Sequence, residues 1–546
     1  MKINPQAIPG TVHLVDQDSQ IQGKHDSGNK EIVLNPTPSD DPDDPLNWTR
    51  PRKYLAMFCM VVYTFGVGIA SASIYSVLTP ISTQTGLGLA TLNQGTGYMF
   101  LFLGLGCFFW QPMALQYGKR PVYLISLLAT ALIIIWSPHT NGNGSWIGGK
   151  ILQGFFGAPI ESLLEVTVSD IWFEHERGRW MNLYALALVT SNYIAPLVAG
   201  FIADGQGWEW VIYWSSIWAA VCFVFCFFFM EETNYSRQTI APDDVLNEPS
   251  DLNVEISSVE EQNVTILGEK LATPAVVDTE NGQSIPINTS TKTFVQKMAL
   301  FRATPPMDQL WINFKRPISM FRFPVILWSG FIYGVSLVWF NVLNATASMI
   351  FTNYYNFTPA QVGLTYISPV IGSFIFSFYA AWASDWFKVK LARRNNGVSE
   401  AEHRLWVFLP NAIFAPAGLI LWGVGASHYV HWMGPVIAMG MIGGTTALGC
   451  SVPCSYTVDS YREMSGHGMV VAIIIRNLLS FAIGYGITPW ITNTGVQNTF
   501  IAACFISLIC TLTFLIFIIW GKASRNSQKE VYWRYVQEAL DKHMAH

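Results

Sequence analysis

Four ionisable side chains stand inside otherwise apolar stretches of this chain. Lys150, Glu161 and Glu165 fall within residues 146–169, and Arg476 falls within residues 466–490. A charge at the bilayer centre costs at least about 3 kcal/mol on insertion scales, so such a group normally faces a protein interior or a wet cavity. The chemistry open to these groups is proton uptake and release by a carboxyl, counter-ion contact with a charged solute, or mutual pairing. Eleven positions separate Lys150 from Glu161, about three helical turns, which puts the two on nearly one face about 16 Å apart, with Glu165 a turn further on. Glu161 is the first candidate for a proton carrier or counter-ion; the structural alternative is a pair with Lys150 or Arg476. Tyr333, Asn341 and Asn344, with Asn192 and Tyr193, are candidate cavity-lining groups, and Trp339 could stack on an aromatic or cationic solute. Their alternative role is hydrogen bonding between helices.

The elements that must position these groups are membrane spans. The 546 residues are 51% hydrophobic and 12% charged, against about 25% charged for a typical soluble protein. Apolar stretches long enough to cross a bilayer recur near 53–78, 93–115, 121–137, 146–169, 180–203 and 211–230. Six more lie near 323–346, 360–384, 405–426, 432–458, 466–490 and 497–520. The expected fold is therefore an all-α membrane protein of 12 transmembrane helices in two related six-helix halves. The organisation reads as an N-terminal tail (1–52), a first half (53–230), a linker (231–322), a second half (323–520) and a C-terminal tail (521–546). The first tail is rich in Asp and Pro and is expected to be mostly disordered. The linker turns amphipathic from about residue 293, in the manner of an interfacial helix.

Of the 31 Lys and Arg residues, all but Lys150 and Arg476 fall in or at the edge of the tails, the linker and alternate loops. The opposite loops carry none, so the positive-inside rule predicts both termini and the linker in the cytoplasm. The sequons at Asn143 and Asn356 then lie outside, as candidate glycosylation sites. All eight cysteines fall within apolar spans and are expected to serve packing. No phosphate-binding loop, metal-ligand cluster or nucleic-acid surface is legible, so no cofactor, no metal and no enzymatic reaction is expected. The expected partners are a small-molecule substrate, protons and the lipid bilayer, with the chain a monomer.

The pattern Gln111-Pro112-Met113-Ala114-Leu115-Gln116-Tyr117-Gly118-Lys119-Arg120 resembles the loop motif between spans two and three of the major facilitator superfamily. Lys150-Ile151-Leu152-Gln153-Gly154 resembles its span-four motif, with lysine for arginine. Ser191 to Gly200, with Ala195 and Pro196, is similar to its span-five antiporter motif, although alanine replaces two glycines. Leu115 stands where the first motif carries an acid, whereas Asp385 keeps the acid in the second half. The nearest branch resembles the fungal drug:proton antiporter-like transporters, on Asp43-Asp44-Pro45-Leu46-Asn47-Trp48, Glu231-Glu232-Thr233-Asn234-Tyr235 and Ala392 to Gly397. Within it, Trp110-Gln111-Pro112 and the Glu161-bearing span are similar to the yeast histidinol and polyamine permease subgroup.

The resemblance implies proton-coupled efflux of a small organic compound such as a fungal secondary metabolite or drug. The alternatives are proton-coupled uptake of cationic amines, or a non-transporting nutrient receptor. It implies coupling or substrate contact at Lys150, and gate ions at the cytoplasmic end among Lys119, Arg120, Asp170, Arg177, Asp385, Asp459 and Arg462. The cell membrane is the expected location, with the vacuolar membrane as the alternative.

Overall fold

The computed structural model of the chain describes residues 8–13, 44–140, 142–235, 307–395 and 398–541. Among them, eleven helical stretches are long and apolar enough to cross a membrane, and the last, Arg462–Ser527, runs for 66 residues. That one divides at Gly495, whose φ of 78° no helix allows, so it makes two crossings and the total is twelve. In chain order the first half comprises Arg50–Ala72, Leu89–Tyr117, Lys119–Ile134, Asn143–Ile171, Glu174–Gln206 and Trp208–Phe229. The second comprises Pro324–Tyr355, Pro359–Ser384, Ala401–Ser427, Met433–Ser460 and the two segments 465–494 and 496–527. These are spans one to twelve below.

Large apolar side chains face outward along the spans, among them Phe228, Phe378, Ile413 and Ile519. Such a surface is stable only where hydrocarbon covers it, because water makes exposed apolar patches of that extent costly. The two halves meet through spans two and eleven and through spans five and eight. Small residues permit the crossings: a Cβ on Gly484 would lie 2.8 Å from the Cα of Gly97, and one on Gly363 2.8 Å from the carbonyl oxygen of Leu197. At the end that carries few charges, Ser348 of span seven donates to Thr79 at 2.9 Å, and Asn93 of span two donates to Thr488 of span eleven at 3.0 Å. The amphipathic part of the linker forms a helix at Met307–Met320.

The N-terminal tail was expected to be mostly disordered, and the greater part of it lies outside the described residues; within it Thr11–His13 (β1) pairs antiparallel with Val398–Glu400 (β2) before span nine. The chain is also ordered from Asp44, whose carboxylate accepts the backbone N–H of Leu46 at 3.0 Å. Gly10, at φ +77°, lets the segment lie against Ser460 and Asp459. The short ladder is the one departure from an all-helical fold among the described residues.

Candidate functional site

Span four is two helices in line. Pro159 lacks the N–H that a continuous helix needs, so Asn143–Gly157 gives way to Pro159–Ile171 at Ala158. The break separates the environments of Lys150 and Glu161, which a straight helix would have placed on one face. Lys150, 2% exposed, donates to Gln153 at 2.8 Å, and Gln153 donates to the carbonyl of Ala70 in span one at 3.0 Å. Its ammonium also lies 5.3 Å from the Trp146 ring centroid. Lys150 therefore joins spans within the first half and has no carboxylate partner among the described residues.

Glu161 turns instead to the second half. Its carboxylate forms an ion pair with the guanidinium of Arg476 in span eleven and accepts from Asn477 Nδ2 at 2.8 Å. Glu161 is 8% exposed and Arg476 2%. Arg476 also donates to the hydroxyl of Tyr333 in span seven and lies 4.7 Å over its ring. The Cys450 thiol of span ten donates to the same hydroxyl at 3.4 Å. Close approach of span two is what admits Asn477: a Cβ on Gly104 would lie 2.7 Å from the Asn477 Cβ. Two carboxylate oxygens thus meet two donors, one from Arg476 and one from Asn477, at the plane between the halves, a charge-assisted arrangement strong in low dielectric.

Glu165 is different. It is partly buried, near Cys450 and Cys454 of span ten and Tyr184 of span five, and has no hydrogen bond or ion pair among the described residues. Span seven adds neutral polar groups. Both polar side-chain atoms of Asn341 are buried without a partner there, as is the Trp339 Nε1. Asn344 accepts from the Tyr366 hydroxyl at 3.1 Å and leaves its Nδ2 unmatched. Unmatched buried polar atoms cost about 1–3 kcal/mol each, so a solute or water that satisfies them is favoured.

At the basic end the candidate gate ions pair inside their own halves. Lys119 joins Asp170, both in the first half, and Arg404 joins Asp459 at 3.1 Å, both in the second. Arg120 donates to the carbonyl of Phe227 at 2.7 Å. Arg462 is exposed, and the side chains of Arg177 and Asp385 lie outside the described residues. Asn143 and Asn356 are exposed at the charge-poor end, Asn356 with φ 54° closing span seven.

Residues 56–481 match the family model of the Major Facilitator Superfamily. The chain belongs to the major facilitator superfamily. It is 28% identical to an uncharacterised MFS-type transporter of Schizosaccharomyces pombe, over 98% of this chain and 96% of the relative. It is 26% identical to Protein HOL1 of Saccharomyces cerevisiae, over 98% of each chain. Both are fungal. The E. coli xylose transporter XylE, in a partially occluded inward open conformation, has the same fold with a TM-score of 0.54 at 12% identity, over 86% of this chain and 98% of that one. The protein is a superfamily transporter and not an enzyme.

The superfamily motifs acquire physical roles here. In the span-four motif Gly154 brings span four onto span two, since its Cβ would fall 2.1 Å from the Met99 carbonyl oxygen. In the span-five motif Ser191 packs against Gly68 of span one, and the buried Ala195 and Ala199 lie between it and Gly200. The Pro196 carbonyl and Gly200 meet Gly363 of span eight, so the motif is a contact between halves. In the loop motif, Lys119 and Arg120 present their backbone N–H groups to Glu232 at 3.0 Å each.

Sequence reasoning missed Glu232 as a cap, and it missed the buried pair of Arg525 with Glu402. Glu232 also accepts from the N–H groups of Thr233 and Asn234. The signal was present in Glu231-Glu232-Thr233-Asn234 directly after span six, since a carboxylate beside a helix N-terminus satisfies unpaired donors. Arg525 is 0% exposed, donates to Glu402 and to the carbonyl of Pro9, and the Tyr456 hydroxyl joins at 3.2 Å. Nearby, partial burial pushes the Glu400 carboxyl up, but hydrogen bonding and charge from Lys522 bring it below its ordinary value. Nothing in local sequence links residues so far apart.

Proposed function

We propose that the protein is a proton-coupled exporter of a small organic compound, with the Glu161–Arg476 pair as its central switch and Glu165 as a second titrating group. The observation that carries this reading is the ion pair itself, which joins span four of one half to span eleven of the other. Alternating access moves one half against the other around a midplane site. When the halves part, Glu161 and Arg476 each lose their charge partner, and breaking a buried pair costs about 3–5 kcal/mol. A proton on Glu161, or a cation in place of the guanidinium, removes the carboxylate's share of that penalty, while Arg476 keeps the ring and hydroxyl of Tyr333. Motion then follows occupancy, which is the requirement for coupling.

The resemblance to drug:proton antiporter-like transporters, through Ser191 to Gly200 and Glu161, supports export. Uptake of cationic amines is the second reading, favoured by Glu165, a carboxylate with no basic partner among the described residues. In either direction Trp339, Asn341, Asn344 and Lys150 are the further substrate or coupling contacts. The charge asymmetry of the loops supports a cell-membrane protein with both termini and residues 231–322 in the cytoplasm.

The test is Glu161→Gln in sealed vesicles of known orientation. The variant should insert normally and lose dependence on the proton gradient, while exchange of labelled substrate between the two sides continues. Normal insertion with unchanged pH dependence overturns the reading. The direction of labelled flux separates export from uptake.

A further inference from the structure

The linker helix Met307–Met320 packs on span two and on span eleven at the basic end, and so touches both halves at once. Asn313 and Pro317 of the helix line one crevice with Gln111 and Leu115 of span two and with His467 and Val470 of span eleven. Pro317 is buried there. On its other side the helix carries Trp311, 64% exposed, and Ile318, 60% exposed, with the Lys315 ammonium 5.0 Å from the Trp311 ring. An aromatic and an aliphatic side chain beside a lysine on an exposed helix face suit the headgroup region of a bilayer.

Leu115 is the position at which this chain lacks the acid of the superfamily loop motif. Its carbonyl accepts from Asn234 Nδ2 at 2.9 Å, and its side chain faces the crevice that Pro317 closes. A carboxylate there would lose part of its water against proline and valine, with His467 and no lysine or arginine in the crevice lining, and desolvating a charge is unfavourable. The apolar residue and the seated helix are therefore consistent with each other. We propose that the linker helix is a latch across the basic end of the transporter, with Leu115 as its seat on the first half. For that end to open, span two must leave span eleven, and a helix seated on both must release one of them. Among the described residues Lys119–Asp170 and Arg404–Asp459 each lie within a single half, so the latch supplies a cross-half contact that these two pairs do not. The latch is independent of which carboxylate carries the proton.

The test is hydrogen exchange on the full-length protein in lipid nanodiscs, read on residues 307–320 and 467–474. Leu115→Asp should raise exchange in 307–320 at least tenfold and expose 467–474 in the same sample, with span three unchanged. Adding Asn313→Lys, which offers the new carboxylate a partner, should reverse both effects. If Leu115→Asp does not insert, Leu115→Ala keeps the test, with an expected rise of about threefold. Unchanged exchange in 307–320, or a rise there that leaves 467–474 protected, overturns the proposal.

Discussion

Glu161 and Arg476 face each other across the plane that divides the two halves, and both are completed by groups of the second half. Asn477, next to Arg476, gives Glu161 its second donor, while Tyr333 of the second half holds the other end of the guanidinium. The pair is therefore fixed in orientation as well as in charge. Because both groups are almost wholly buried, water does not replace either partner while the halves stay closed. Separation of the halves is therefore eased by neutralisation of Glu161.

The first prediction concerns how Asn477 reaches that carboxylate. Gly104→Ala places a Cβ 2.7 Å from the Asn477 Cβ, and overpacking of this kind costs about 1–3 kcal/mol. The variant should insert, lose most of its transport and shift the pH dependence of what remains. Unaltered transport would mean that Asn477 does not hold Glu161.

A second prediction tests the cap on span three. Glu232 accepts four backbone N–H groups, from Lys119, Arg120, Thr233 and Asn234. Hydrogen bonds to a charged group are worth about 1.5–3 kcal/mol each and are not additive. Glu232→Ala should lower the midpoint of thermal unfolding by several degrees, with Glu232→Gln recovering part of the loss. Equal midpoints for all three proteins would remove the cap from the account.

Composition and hydropathy made the twelve crossings legible, because a helix that must hide its backbone in hydrocarbon leaves a stretch of apolar residues. The division at Gly495 was readable from the gap between two such stretches. The pairing of Glu161 was open, since spacing along span four offered Lys150 and isolation offered Arg476. Distance along the helix decides against Lys150, which lies about 16 Å from Glu161, and the packing of span eleven on the other half brings Arg476 to it. The sequence patterns of the loops offered candidate gate ions but not their partners: Asp459 pairs with Arg404 at 3.1 Å. The strand at Thr11–His13 was not legible because its hydrogen bonds go to residues 398–400, and so polar a tail has no hydrophobic signature.

That strand supports a third prediction. Arg525 is held by Glu402 and by the carbonyl of Pro9, and it is fully buried. Removing one partner of a buried ion pair costs about 3–5 kcal/mol, whereas replacing both with apolar residues of similar size is often neutral. Glu402→Gln should sharply reduce the amount of folded protein, and Glu402→Leu combined with Arg525→Met should restore it. Deleting residues 1–13 should produce a smaller loss, since it removes one neutral acceptor and the short ladder. A deletion as damaging as Glu402→Gln would assign the N-terminal segment a larger role than this geometry gives it.

The last prediction addresses closure at the charge-poor end, where span five meets span eight. A Cβ on Gly200 would lie 2.3 Å from the Pro359 carbonyl oxygen and 3.1 Å from the Gly363 Cα. Both neighbours are backbone atoms of the opposite half, so no side chain can swing aside to make room. Gly205, five residues further on in the same helix, has nothing within 4 Å of its own Cβ position. The two glycines therefore separate backbone entropy from contact: alanine in a helix interior is favoured over glycine by about 0.5–1 kcal/mol when space allows. Gly205→Ala should leave transport intact and raise stability slightly. Gly200→Ala should hold the charge-poor end apart, slow transport by an order of magnitude or more, and increase labelling of Thr79→Cys or Ser348→Cys by a membrane-impermeant thiol reagent applied from that side. Gly200→Val should do so more strongly. Wild-type transport in Gly200→Val would show that spans five and eight need not touch during the cycle.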